Sequence, residues 1–395
     1  MTAPAAPAPT PSLRLLLEAA SGLGICIGFG RFSVGLLLPA MQEDLDLGYS
    51  GVGLLASANF AAYLVGVGVM PALARRLGYR RLLQTGLLAA ALGMLLLALP
   101  LPIPGVALAL VMTGASGALG WVSAAAIGVA LGNGGDRGRI LGIIGGAMGL
   151  GMIVASLLTL AASQIEPLPW RAIWGAQGVL AAGALVLARS GPPLGVATRR
   201  VRQPVHGVGG LRFAYAVFGT GYAIFATYFV AAVSHAGAGP AIAATRWAVV
   251  GAGACIGAYG FGAWSDHASR RRVLVASQLV ALISAGCVVA DQRAIPLVAV
   301  IGGFLFGTVM TGMASLLPAA LADILPEPLV PDAFASLTLV FAVSQVISPM
   351  IGGAVLEGGG SFSLVFVLVV GCFASSSVAF GRFTRGAKDL ALVGR

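Results

Sequence analysis

Arg31 carries the strongest chemical signal in the chain, because it lies within an apolar run, ten residues or ~15 Å of helix rise beyond Ser21. A guanidinium at such depth costs ~2.5–3.5 kcal/mol on membrane-insertion scales and needs a compensating interaction. Glu18 is the only acid on the same segment, and thirteen residues, about 20 Å of helix, keep the two from pairing directly. Two roles remain open for Arg31. Its planar fork suits a substrate carboxylate or phosphonate in bidentate fashion, or it is structural, held by helix carbonyls, by water or by snorkelling. Other polar side chains stand in apolar runs, where an amide is expected to face protein or water. Asn59 and Tyr63 share a helix face, Trp121 lies beside Ser123, Tyr222 and Tyr228 share one segment, and Gln345 lies between Ser344 and Ser348. Together Arg31, Asn59, Tyr63, Trp121, Tyr222, Tyr228 and Gln345 form the expected substrate-binding set. Hydrogen bonding between helices is the competing role of Asn59 and Gln345.

Proton coupling needs an acid or histidine that changes charge while facing each side of a membrane in turn, and no carboxylate stands at mid-depth. Glu18 is the candidate coupling residue; a plain ion pair with Arg14, four residues earlier, is its alternative. Enzymatic chemistry finds little foothold. The histidines, at 206, 235 and 267, fall near helix ends or loops, and the sole lysine, Lys388, excludes a phosphate-binding Gly-Lys-Ser loop. Cys26, Cys255, Cys287 and Cys372 sit singly in separate apolar runs, as small hydrophobes. None has a partner at ligand spacing, so neither a metal nor any other cofactor is expected.

The elements that must position these residues follow from composition. With 58% hydrophobic and 9% charged residues over 395, the chain cannot clothe a water-soluble globule. Runs long enough to cross ~30 Å of hydrocarbon fall near 13–40, 51–73, 82–101, 105–131, 139–163, 170–189, 213–235, 243–264, 273–290, 294–321, 333–356 and 362–383. The apolar runs are continuous rather than alternating, which excludes barrel strands. The expected fold is therefore all-α and integral to the membrane, with twelve transmembrane helices. A polar stretch divides them into a tail (1–12), a six-helix bundle (13–189), a cytoplasmic linker (190–212), a second bundle (213–383) and a tail (384–395). The net charge of +10 is concentrated in alternate connections and the termini, whereas the others carry Glu43, Asp44, Asp46, Glu166, Asp291 and Glu357 with only Arg171 and Arg293. The positive-inside bias puts both termini in the cytoplasm. The basic balance thus reports topology and not a nucleic-acid partner.

Two basic stretches lie 191 residues apart, Pro71-Ala-Leu-Ala-Arg75-Arg76-Leu-Gly78-Tyr-Arg80-Arg81 and Gly262-Ala-Trp-Ser-Asp266-His-Ala-Ser-Arg270-Arg271-Arg272. The same offset aligns Gly28-Phe-Gly30-Arg31 with Gly219-Thr-Gly221-Tyr222, making Arg31 and Tyr222 symmetry mates of a duplicated unit. Glycines at packing spacings, such as Gly24 with Gly28 and Gly253 with Gly257, are read as helix contacts.

At the two basic loops, and at Asp136-Arg137-Gly138-Arg139 between helices 4 and 5, the sequence resembles the major facilitator superfamily (MFS). Helices 1 and 2, with Gly28-Phe-Gly-Arg31 and Asn59-Phe-Ala-Ala-Tyr63, resemble its bacterial YbfB/YjiJ branch. The resemblance implies two pseudo-symmetric bundles and a cytoplasmic gate in which a loop carboxylate faces a helix N-terminus of the other half. Asp266 keeps that acid, with Arg137 and Arg139 as further partners, but Arg75 replaces it in the first loop. Asp332, which opens helix 11, is therefore expected to pair with Arg75 or Arg76. The Gly-Pro pair of antiporter branches is missing from helix 5; helix 11 carries Ser348-Pro349 instead. The resemblance implies a multi-pass, monomeric secondary transporter of the bacterial inner membrane, among lipids, carrying a small organic solute, an anion if Arg31 is its ligand, by alternating access and coupled to an ion such as the proton. The alternatives are a proton-coupled efflux pump for amphipathic compounds, suited to an aromatic-poor apolar lining, and a non-transporting receptor on the same scaffold.

Overall fold

The computed structural model describes residues 13–131, 137–188, 205, 207–291, 298–326 and 329–393, with side chains at all of these except 137, 138, 258, 266, 331 and 383–393. The side chains of Arg137 and Asp266, and with them half of the expected gate, lie outside what is described. So do His206 and most of the expected linker.

Among the described residues twelve membrane-length helices form as the hydropathy demands. They are α1 (Leu13–Asp44), α2 (Tyr49–Leu77), α3 (Tyr79–Leu97), α4 (Ile103–Leu131), α5 (Arg137–Ala162), α6 (Trp170–Ala188), α7 (Gly209–His235), α8 (Pro240–His267), α9 (Arg270–Asp291), α10 (Val298–Ala322), α11 (Val330–Glu357) and α12 (Phe362–Val393). No strand occurs among the described residues. The ends lie within four residues of expectation, as at α7, which begins four residues early at Gly209, with one larger departure: α12 continues to Val393 through helix-favouring Ala, Leu and Lys. Large side chains such as Leu54, Val65, Leu108, Val186 and Leu187 stand exposed on the perimeter, where lipid would cover them.

The packing repeats in the two halves. In the first, α4 packs on α2 and α3, and α3 on α6; in the second, α10 packs on α8 and α9, and α9 on α12. The halves meet along α2–α11 and α5–α8, which the repeat interchanges, and where α1 crosses α7. We call the end bearing residues 75–81 and 270–272 the basic end and its opposite the acidic end.

The α5–α8 seam is backbone against backbone. A Cβ on Gly149 would stand 2.6 Å from the Cys255 nitrogen, and one on Gly251 would stand 2.8 Å from the Gly149 carbonyl oxygen. Small residues permit this approach, which in lipid replaces the missing hydrophobic drive between helices. The α2–α11 seam is closed only at the acidic end. There Glu357 accepts the Ser50 amide at 3.3 Å, completing a helix N-terminus that has no side-chain cap of its own. Tyr49 meets Phe362 edge-on at 5.7 Å, and the Tyr228 hydroxyl donates to the Pro349 carbonyl at 2.6 Å. Towards the basic end α2 and α11 border a cleft of ≈ 540 Å³ lined by Met70, Pro71, Ala74, Asp332, Ala335 and Leu339.

Gly53 sets the closed part of this seam, since a Cβ there would fall 2.6 Å from the Pro349 oxygen and 2.9 Å from the Tyr228 hydroxyl. Gly53→Leu should therefore hold the acidic end ajar and slow exchange roughly tenfold or more, in line with overpacking penalties of ~1–3 kcal/mol. Gly183→Leu, where a Cβ meets nothing within 4 Å, should be neutral. Counterflow rates of the two variants compare them directly.

Candidate functional site

The site is built around a defect in α1. Residues Gly24–Phe29 are π-helical, and regular helix resumes only at Phe32, so the chain turns out of register just before Arg31. Wide turns of this kind free backbone groups and often mark functional positions. Asn59 of α2 absorbs the loss: its amide nitrogen lies 3.0 Å from each of the Gly30 carbonyl, the Leu110 carbonyl and Thr113 Oγ1. That one side chain ties α1, α2 and α4 together at mid-depth. Asn59 stands behind the cavity and does not line it.

Arg31 is 6% exposed and points from the break towards the second half. Its Nη2 donates to Gln345 Oε1 of α11 at 2.5 Å, and the guanidinium carbon lies 4.1 Å from the Tyr63 ring centre and 4.7 Å from that of Phe60. Among the described residues Arg31 forms no ion pair, and Arg31 Nε and Gln345 Nε2 are both buried without a partner. Ring faces contribute about 2 kcal/mol to a desolvated cation and a charge-assisted hydrogen bond ~1.5–3. Those gains only approach the several kcal/mol of desolvation that burying the ion demands. Pro349, having no N–H, leaves the Gln345 carbonyl without its usual helical donor, so the partner of Arg31 sits at a weakened rung of α11.

Arg31 and its repeat mate Tyr222 line one central cavity of ≈ 60 Å³. Tyr63 and Trp121 share it, whereas Tyr228 belongs to the acidic-end seam. The expectation of an aromatic-poor lining is overturned. Tyr215, Phe218 and Tyr222 of α7 and Phe334 and Phe341 of α11 supply most of one wall, and Phe32 adds to the other. The signal was present in the sequence, because 215, 218, 222, 225 and 229 follow the three-four spacing that gathers rings on one helix face. Trp121, Phe334 and Thr338 line both the cavity and the basic-end cleft, so three side chains separate the two spaces.

Glu18 lies in a buried ion cluster and does not line the central cavity. Arg80 Nη2 stands 2.6 and 2.7 Å from its two carboxylate oxygens, and Arg14 Nε stands 3.1 Å from one of them. The Arg80 and Glu18 side chains are only 6% and 5% exposed. Arg246 is likewise buried and reaches Asp291 at 2.9 Å. At the gate, Arg75, Arg76 and Arg139 are exposed, and neither Arg75 nor Arg76 pairs with Asp332 in this conformation. The intervening cleft accounts for it, since Asp332 borders that space together with Arg212.

A family model described as "Uncharacterised MFS-type transporter YbfB" matches residues 23–379. The chain belongs to this family. It is a multi-pass membrane transporter of the MFS and not an enzyme. Among curated proteins, none matches the sequence of this MFS transporter. Of solved structures, a D-xylose–proton symporter is similar with a TM-score of 0.77 at 14% identity, over 94% of this chain and 97% of the other. The nucleoside transporter NupG gives 0.74 at 14% identity, over 94% and 100%. The inward-open xylose transporter XylE from E. coli gives 0.75 at 12% identity, over 93% and 95%. At these identities the likeness is one of fold.

Proposed function

We propose that this transporter is a secondary carrier of a small organic anion, bound in the central cavity with Arg31 as its counter-charge. One observation carries the reading: a guanidinium at the meeting of the two halves, 6% exposed, whose hydrogen-bond partner is a neutral amide and whose Nε has none. An entering oxyanion would complete its charge balance, and binding energy of that kind can be spent on moving the halves. Units 13–189 and 213–383 rock about the cavity, joined by the linker 190–212, with the basic end in the cytoplasm of a bacterial inner membrane as the arginine bias requires. Entry of a monovalent anion is opposed by ~2.3 kcal/mol per 100 mV of negative-inside potential, so uptake would need a co-transported cation such as a proton. Arg75 or Arg76 would meet Asp332 once the basic-end cleft closes.

Export of amphipathic compounds is the second reading, favoured by the largely apolar lining, although that lining is not the aromatic-poor one expected. Counterflow in proteoliposomes against anionic, zwitterionic and cationic solutes, paired with thermal shifts of the purified protein, separates the two. Exchange and stabilisation confined to anions, and weakened in Arg31→Ala, is the expected result. Equal stabilisation of both proteins by anions, or exchange of cations alone, rejects Arg31 as a ligand.

A further inference from the structure

The geometry points to an aromatic acid as the cargo: one carboxylate joined to one planar ring, the carboxylate on Arg31 and the ring against the wall formed by α7 and α11. This rests on the anion reading and narrows it.

The charged side of the cavity selects the first group. Nε of Arg31, in the lining, and Nε2 of Gln345, which holds Arg31 from just outside the lining, are both donors, both buried and both without acceptors. An ionised carboxylate is acceptor-only and offers two oxygens, which matches two unfilled donors on neighbouring side chains. A hydroxyl would bring a proton of its own to a place already supplied with N–H groups.

The opposite side selects the second group. Tyr215 lies parallel to Phe341 at 4.5 Å between ring centres with 12° between planes, and to Phe218 at 5.9 Å with 8°. Phe218 and Phe341 are parallel within 16°. Three rings from two helices thus share nearly one orientation at the cavity edge, while Tyr222 tilts beside them at 5.4 Å from Phe341. A flat ring can extend such an array in offset register, whereas a puckered aliphatic body cannot. Met148, Met310 and Met313 complete the lining with polarisable, adaptable thioethers that accept ring edges. Apart from Arg31, the tyrosine hydroxyls, the Trp121 indole N–H and Thr338, the lining offers no side-chain donor or acceptor of the kind a polyhydroxylated solute would need.

At ≈ 60 Å³ the cavity is well below the ~150 Å³ of an engineered cavity that holds benzene, so a ring enters only when the halves part. The basic-end cleft, beyond Trp121, Phe334 and Thr338, is the nearest space from which to enter. Parting the halves bares the aromatic faces to water, and a bound ring re-covers them.

The test uses the full-length protein in nanodiscs, with binding measured calorimetrically for benzoate, phenylacetate, cyclohexanecarboxylate, acetate, benzyl alcohol and benzylamine. Benzoate or phenylacetate should bind at least tenfold more tightly than acetate and measurably more tightly than cyclohexanecarboxylate. Arg31→Gln should abolish binding of every acid, and Phe341→Leu should weaken only the aromatic ones. If acetate or cyclohexanecarboxylate matches benzoate in the unmodified protein, the aromatic assignment falls and the anion reading stands. If benzyl alcohol or benzylamine binds as well as benzoate, or no acid binds at all, both fall together.

Discussion

Replacing Arg31 by glutamine should lower exchange of an anionic substrate roughly 100-fold or more, the scale on which truncating one partner of a buried charge pair acts, and should leave the empty protein as stable as before or more so. The second half of this expectation is the diagnostic one. In the empty site the guanidinium is held by Gln345 and two ring faces, without a carboxylate among the described residues. Removing it forfeits those contacts but also relieves the desolvation of a lone ion, and the two are of similar size. Glutamine can still hydrogen-bond Gln345. Arg31→Lys keeps the charge but not the fork, so it should recover only part of the exchange rate. Initial counterflow rates and melting temperatures on the same preparations decide it; unimpaired exchange in the glutamine variant would end the case for Arg31 as the anion's partner.

Arg80→Ala should do the reverse, lowering stability by ~3–5 kcal/mol, because it strands a buried carboxylate. Arg80 and Arg31 are the same residue type at 5% and 6% exposure, and their partners make the difference. Arg80 addresses both oxygens of Glu18, whose remaining contact, Arg14, is largely exposed and supplies little by itself. Removing both charges, as Glu18→Gln with Arg80→Ala, should restore much of the loss, since no unpaired ion then remains. Denaturation in detergent gives all four corners of the cycle. Additive losses would mean that the pair is not coupled.

Much of the fold was legible because lipid imposes one simple demand: about twenty apolar residues per crossing, with backbone groups satisfied inside the helix. The twelve runs read from hydropathy reappear with most ends shifted by only a few residues. Depth alone marked Arg31, and the 191-residue offset marked Tyr222 as its counterpart across the cavity. Other features need tertiary information. Arg75, Arg76, Arg80 and Arg81 look alike in one short loop, and only the approach of α3 to α1 shows that Arg80 turns inward to Glu18. Tyr228 was grouped with Tyr222, yet six residues turn a helix through 600°, about 240° of net rotation, which carries its hydroxyl to Pro349 instead. The break in α1 had no proline to announce it, and its repair by Asn59 comes from another helix. The ring stripe on α7 is present in the spacing, but that it lines the cavity follows only from its packing against α11.

Arg31 and Tyr222 occupy equivalent places in the two repeats and meet at one cavity, so the duplication has become unequal where it matters most. A site with matching walls would hold a solute either way round. Between unlike walls a molecule keeps a head and a tail throughout the cycle, and positional isomers that share every functional group become distinguishable by how far the head lies from the tail.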